Sequence, residues 1–92
     1  MTTQECVIKL IEELVGTLPD IYIHDSYCTF PASNDSVYKI IIKSEHSRSV
    51  GAIIWIHDNE ICIRRHDELS CTKIEFCDPN LIKKIAYELT RN

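Results

Sequence analysis

His-Asp occurs three times in this chain, each time a few residues before a cysteine: His24-Asp25 with Cys28, His57-Asp58 with Cys62, and His66-Asp67 with Cys71. Imidazole, carboxylate and thiolate are the donors of transition-metal sites, and a thiol beside an imidazole is the start of a nucleophile–base pair. Any catalysis or metal binding would begin at these residues, so the question is which of them the fold can bring together.

Spacing argues against a shared site. Asp58-Asn59 is a good two-residue hairpin turn, because both residue types tolerate positive φ. That turn sets His57 opposite Glu60, Trp55 opposite Cys62, Ile53 opposite Arg64 and Gly51 opposite His66. Six residues of strand at ~3.4 Å each then hold His57 and His66 about 20 Å apart, too far for one ion whose ligand bonds are ~2 Å long. The repetition has a simpler expected cause: each His closes a strand and each Asp opens a turn, where Asp is favoured. One local variant stays open. If His66 faces Cys71 across the last hairpin, with Asp67 and Glu68 in the connection, a small hydrolase or metal site is conceivable there. His24, Asp25 and Cys28 form a similar group.

The elements that position these residues follow from periodicity. Thr2 and Glu5 have capping-box spacing. Val7, Ile8, Ile11, Leu14, Val15 and Leu18 then make one apolar helical face, with Gly16 as the expected stop and Pro19 as the exit. The middle of the chain reads as strands: Ile21–His24, with Tyr27–Phe30 continuing or pairing with it, then Val37–Lys43, Val50–His57, Glu60–His66 and Cys71–Phe76. Polar or turn-rich segments separate them. Asp78 as N-cap and Pro79 at N1 announce a second helix, with Leu81, Ile82, Ile85, Ala86 and Leu89 on its apolar stripe. The expected fold is α+β: an N-terminal helix, a four- to five-stranded antiparallel meander and a C-terminal helix, both helices on one face of the sheet, in one domain over residues 1–92.

Composition bounds the function classes. The net charge of −4 weighs against nucleic acid as the default partner. No apolar run reaches the ~18–20 residues of a membrane span, and no basic n-region precedes the first apolar stretch, so a cytoplasmic protein without membrane contact is expected. The five cysteines, Cys6, Cys28, Cys62, Cys71 and Cys77, contain no Cys-x-x-Cys, which removes zinc ribbons and fingers. Fifteen isoleucines fit an A/T-rich genome or a heat-adapted protein, and in the latter one or two disulfides would be possible. Cys62 and Cys77 would be diagonal neighbours at ~7 Å, the outer limit for a bridge. Cys6 is expected on or near the buried side of the first helix. No glycine-rich phosphate loop, His-Glu-x-x-His or Gly-x-Ser-x-Gly is present, and no cofactor is expected. In general character the compact, Ile-rich, acidic chain resembles the orphan products of small viral or plasmid genomes.

The strand alternation makes a stronger argument. Tyr38, Ile40, Ile42, Ala52, Ile54, Ile56, Ile61, Ile63, Ile74 and Phe76 share the face under the helices. The opposite face carries Lys39, Lys43, Arg64, Lys73 and Glu75, but also Ile41, Ile53, Trp55 and Cys62. An apolar patch rimmed by charge commonly marks an interface, and Trp is enriched at interface centres. The leading expectation is therefore a non-enzymatic, self-associating or protein-binding domain, most simply a homodimer, using Ile41, Ile53, Trp55, Cys62 and Arg64. Three alternatives stand beside it. The segment Tyr27–Ser36 could fold over Trp55, the cross-strand Trp and Ile could simply stabilise the sheet while half exposed, or the face could bind nucleic acid by stacking bases, for which it offers one aromatic.

Overall fold

The structure, a computed structural model, describes residues 3–29, 36–46 and 51–91. Its elements are α1 (Thr3–Thr17), β1 (Ile21–Thr29), β2 (Val37–Ser44), β3 (Gly51–His57), β4 (Glu60–Arg65), β5 (Thr72–Glu75) and α2 (Leu81–Thr90). The strands form one open sheet in the order β1-β2-β3-β4-β5, every neighbouring pair antiparallel. The α+β meander is thus the architecture of the chain, with five strands. No helix among the described residues is long and apolar enough to cross a membrane.

Burial alternates along the central strands from Ala52 onward in β3 and throughout β4. Ile40, Ile42, Ala52, Ile54, Ile56, Ile61, Ile63 and Ile74 are all at most 2% exposed, and they join Val7, Ile11 and Val15 of α1 and Leu81, Ile85 and Leu89 of α2 in one cluster. Residues between them on the strands are half-buried or exposed. Both helices therefore cover the same face, the one whose side chains have period 2 with Ile54. β-Branched isoleucine fills this face because it packs well on a pleated surface.

The helix ends differ from expectation. Gly16 lies inside α1, exposed and with open space around its α-carbon, and the helix ends only at Thr17. The reversal into β1 is made by Asp20, which takes φ 70°. The Thr2 cap falls outside the described residues. Cys6 is exposed, because the stripe that docks α1 runs through Val7, Ile11 and Val15 and turns position 6 toward solvent. At the other end Asp78 is not the N-cap of α2. Asp78, Pro79 and Asn80 form a preceding turn in which the Asp78 carboxylate accepts the Asn80 N–H at 2.8 Å, and the helix starts at Leu81. The Lys84 ammonium also donates to Asp78, and these bonds hold its carboxyl below the usual range. Ile82, assigned to the buried stripe from the sequence, is exposed at 36%.

Gly51 illustrates how tightly β3 sits. A methyl group there would stand 2.7 Å from the Ile42 carbonyl oxygen and 2.6 Å from His66 Cδ2. The carbonyl belongs to the β2 backbone and cannot swing aside. Gly51→Ala is therefore expected to cost about 1–3 kcal/mol, lowering Tm by about 5–15 °C. Adding His66→Ala should recover only part of that loss, because the carbonyl contact persists. Full recovery in thermal denaturation would mean that the imidazole alone fills the space.

Candidate binding face of the sheet

The face turned away from the helices is built in rows, each crossing the strands. One row runs Tyr27, Lys39, Trp55, Cys62, Lys73 through all five strands. The next runs Asp25, Ile41, Ile53, Arg64. A third joins Tyr22, Lys43 and Gly51, with His66 bonded to Gly51 through its N–H at 3.1 Å. On the other side, toward the β3–β4 turn, His57, Glu60 and Glu75 share a row. All five residues expected at the site, Ile41, Ile53, Trp55, Cys62 and Arg64, thus lie in two adjacent rows.

Two features were missed from the sequence. The first is Tyr27. The β1–β2 register shifts between Ile23 and Asp25, so β1 carries one extra residue at His24. Before the shift Ile21 and Ile23 point to the core; after it the parity flips and Tyr27 joins the outer face. A signal was present: the polar run His24-Asp25-Ser26 breaks the alternation. The second is that Trp55 is not bare. The Arg64 guanidinium carbon lies 5.4 Å from its ring centroid, and the Lys39 ammonium lies 5.8 Å from it and 5.8 Å from that of Tyr27. These distances are within cation–π range. The centre of the face is therefore an aromatic–cationic surface and not an apolar patch with a charged rim. Tyr22 and Tyr27 are each 39% exposed, and Trp55, Ile41 and Ile53 are half-buried. Tyr27 to Thr29 lie in the plane of the sheet within β1 and so do not cover Trp55. The remainder of the proposed covering loop up to residue 35 falls outside the described residues.

The His-Asp pairs are dispersed. His24-Asp25 sits inside β1 at the bulge and not at a strand end, and Asp25 accepts the Ser26 N–H at 2.8 Å. His57 closes β3 and donates from Nδ1 to the Ser36 carbonyl at 2.9 Å. His66-Asp67 lies in the turn after β4. The last hairpin pairs Ile63 with Thr72, so the next rung sets Arg64, not His66, across from Cys71. The same register overturns the expected neighbourhood of Cys62 and Cys77. Cys62 pairs with Lys73, and Cys77 lies beyond the end of β5, in the turn that follows Glu75. All five cysteines are free thiols. Among the described residues no three His, Cys, Asp or Glu side chains are placed to share a metal ion.

Beside Trp55 an open concavity of about 760 Å³ is lined by His57, Glu60, Cys62, Glu75 and Cys77. Each thiol leans on a carboxylate, Cys62 on Glu60 at 3.7 Å and Cys77 on Glu75 at 3.6 Å. Burial, then the nearby Cys71 and Glu60, push the Cys62 thiol up from its ordinary range. That holds it protonated at neutral pH, the opposite of what a nucleophile or metal ligand needs. What this face can do chemically is hold anionic and planar groups.

No protein-family model matches the chain, and neither a curated protein nor a solved structure matches it significantly. The class is accordingly defined by the fold alone: an open five-stranded antiparallel sheet with one face covered by two helices and the other bearing the Tyr27–Lys73 row.

Proposed function

We propose that the protein is a non-catalytic binding module whose working surface is the outer sheet face around Trp55, and that it acts on an anionic partner. The observation that carries this reading is the position of Lys39 and Arg64 over the Trp55 ring. Cations held against an aromatic are partly desolvated and fixed in place, which suits them to charged, planar ligands. Self-pairing of the face, the simplest closed arrangement, is less favoured. It would crowd Lys39, Arg64 and Lys73 from two copies into one interface, and like charges so juxtaposed cost several kcal/mol. The reading includes a cytoplasmic location, which five free thiols support.

Trp55 is the single tryptophan, so tryptophan fluorescence, excited at wavelengths that tyrosine does not absorb, reports on this face alone. Titration with polyanions (heparin, poly-glutamate, oligonucleotide) should shift or quench it, more weakly as salt rises. Arg64→Glu should reduce that binding about 10-fold or more while leaving the melting curve close to the parent's. If no polyanion affects Trp55 and the protein instead sediments as a dimer that Trp55→Glu splits, the face serves self-association and this reading is wrong.

A further inference from the structure

We infer that the anionic partner is a single-stranded nucleic acid lying across the strands along the row Tyr27–Lys39–Trp55–Cys62–Lys73, an inference that rests on the binding-face reading above. The row alternates in kind: ring, ammonium, ring, thiol, ammonium. Neighbouring strands are ~4.8 Å apart, so Tyr27 and Trp55 stand about 10 Å from each other with Lys39 between them. Lys73 stands a similar distance beyond Trp55. Two bases can stack on the two rings as the Lys39 and Arg64 head groups exchange the ring faces for the phosphates around them. A single strand supplies π faces and phosphates in regular alternation. A duplex hides its base faces, and an acidic peptide supplies charge without a regular series of rings.

The charge distribution agrees, although the chain as a whole is acidic. The three rows that include Trp55, Ile53 and Lys43 carry four of the ten Lys and Arg residues, Lys39, Lys43, Arg64 and Lys73, against one carboxylate, Asp25. Glu60 and Glu75 stand together in the row on the other side of Trp55. They repel phosphate there and confine a bound strand to the basic rows. The rows around Trp55 and Ile53 contain no Asn or Gln to read base edges, so binding is expected to follow stacking and charge with little sequence preference.

The test is anisotropy with labelled eight-nucleotide oligo(U) and oligo(dT), a duplex of equal length, and poly-glutamate as the charge-only competitor. Single strands should bind at least 10-fold tighter than the duplex. Tyr27→Ala, at an exposed edge position, and Trp55→Ala should each weaken single-strand binding about 5- to 50-fold. Log K against log salt should have a slope of about −2 to −3, reduced by about 0.7 in Lys39→Gln or Lys73→Gln. If poly-glutamate binds this face as tightly as the oligonucleotides, or if Tyr27→Ala changes nothing, the nucleic-acid inference fails and the anion-binding face stands. If neither polymer perturbs Trp55, both fail. Circular dichroism of each variant separates loss of binding from loss of fold.

Discussion

Ile54→Ala is expected to lower stability by about 3–4 kcal/mol and Tm by about 15–25 °C. Ile54 is fully buried on β3, paired with Ile40 of β2 and Ile63 of β4, both themselves buried in the core beneath the helices. Deleting most of its side chain removes transfer free energy and leaves a cavity that two β-ladders hold open. A domain of this size has roughly 5–14 kcal/mol to lose from, so urea midpoints should fall sharply with an unchanged slope. Trp55→Glu, one residue on, should cost only about 1–2 kcal/mol, because part of the ring already meets solvent and what it loses is chiefly packing and its two cation contacts. The contrast between adjacent positions decides whether the sheet has one working face and one structural face. Equal destabilisation by the two changes would make Trp55 part of the core, and the binding reading would fall with it.

Legibility in the sequence followed local chemistry. The β3–β4 hairpin was readable residue by residue because Asp58-Asn59 leaves few turn geometries, and Asp58 does adopt φ 52°. The β4–β5 register was not. Between Arg65 and Thr72 there is no Gly or Pro to mark the turn, and the chain spends six residues there, two more than the Asp67–Ser70 connection supposed. That slip moved Cys71 from His66 to Arg64 and removed the Cys-His pairing expected across the last hairpin. The bulge at His24 left only an indirect trace, the polar run His24-Asp25-Ser26, and strict alternation assigns Tyr27 to the buried side. Core positions survive such slips because burial demands only that an isoleucine point inward. Site positions do not, because a site depends on which strands bring which residues to the same row.

The same distinction separates net charge from local charge. A total of −4 describes the field far from the molecule, whereas a ligand on the sheet meets the charges of three rows. Carboxylates are concentrated elsewhere, on α1 at Glu5, Glu12 and Glu13 and on the hairpin end at Asp58, Glu60 and Glu75. The molecule thus combines an acidic body with a locally basic set of rows. Strand alternation makes this segregation possible, since consecutive residues are assigned to opposite faces.

Arg64 and Arg65 carry that argument to its sharpest test. Arg65 points inward, is 7% exposed, and donates from its guanidinium to the Glu88 carbonyl at 3.4 Å and to the Arg91 carbonyl. It thereby satisfies carbonyls at the C-terminal end of α2, where a cation also complements the helix dipole. Arg91 is held in turn by Glu88 at 2.8 Å and by Glu68, which ties the helix end to the β4–β5 connection. Arg65→Met keeps the length and apolar stem but leaves those buried acceptors without a donor, an expected cost of about 2–3 kcal/mol. Hydrogen exchange should show it as faster opening of the last turn of α2. Both carbonyls accept from the same guanidinium nitrogen, Nη1, so Arg65→Lys should restore part of the loss, limited by the shorter reach of the lysine side chain. Arg65→Met should leave polyanion binding as in the parent once the protein is folded, whereas Arg64→Glu should do the reverse, weakening binding about 10-fold or more with little change in Tm. If Arg65→Met instead lost binding at full stability, the functional surface would lie near the end of α2 and not on the open face of the sheet.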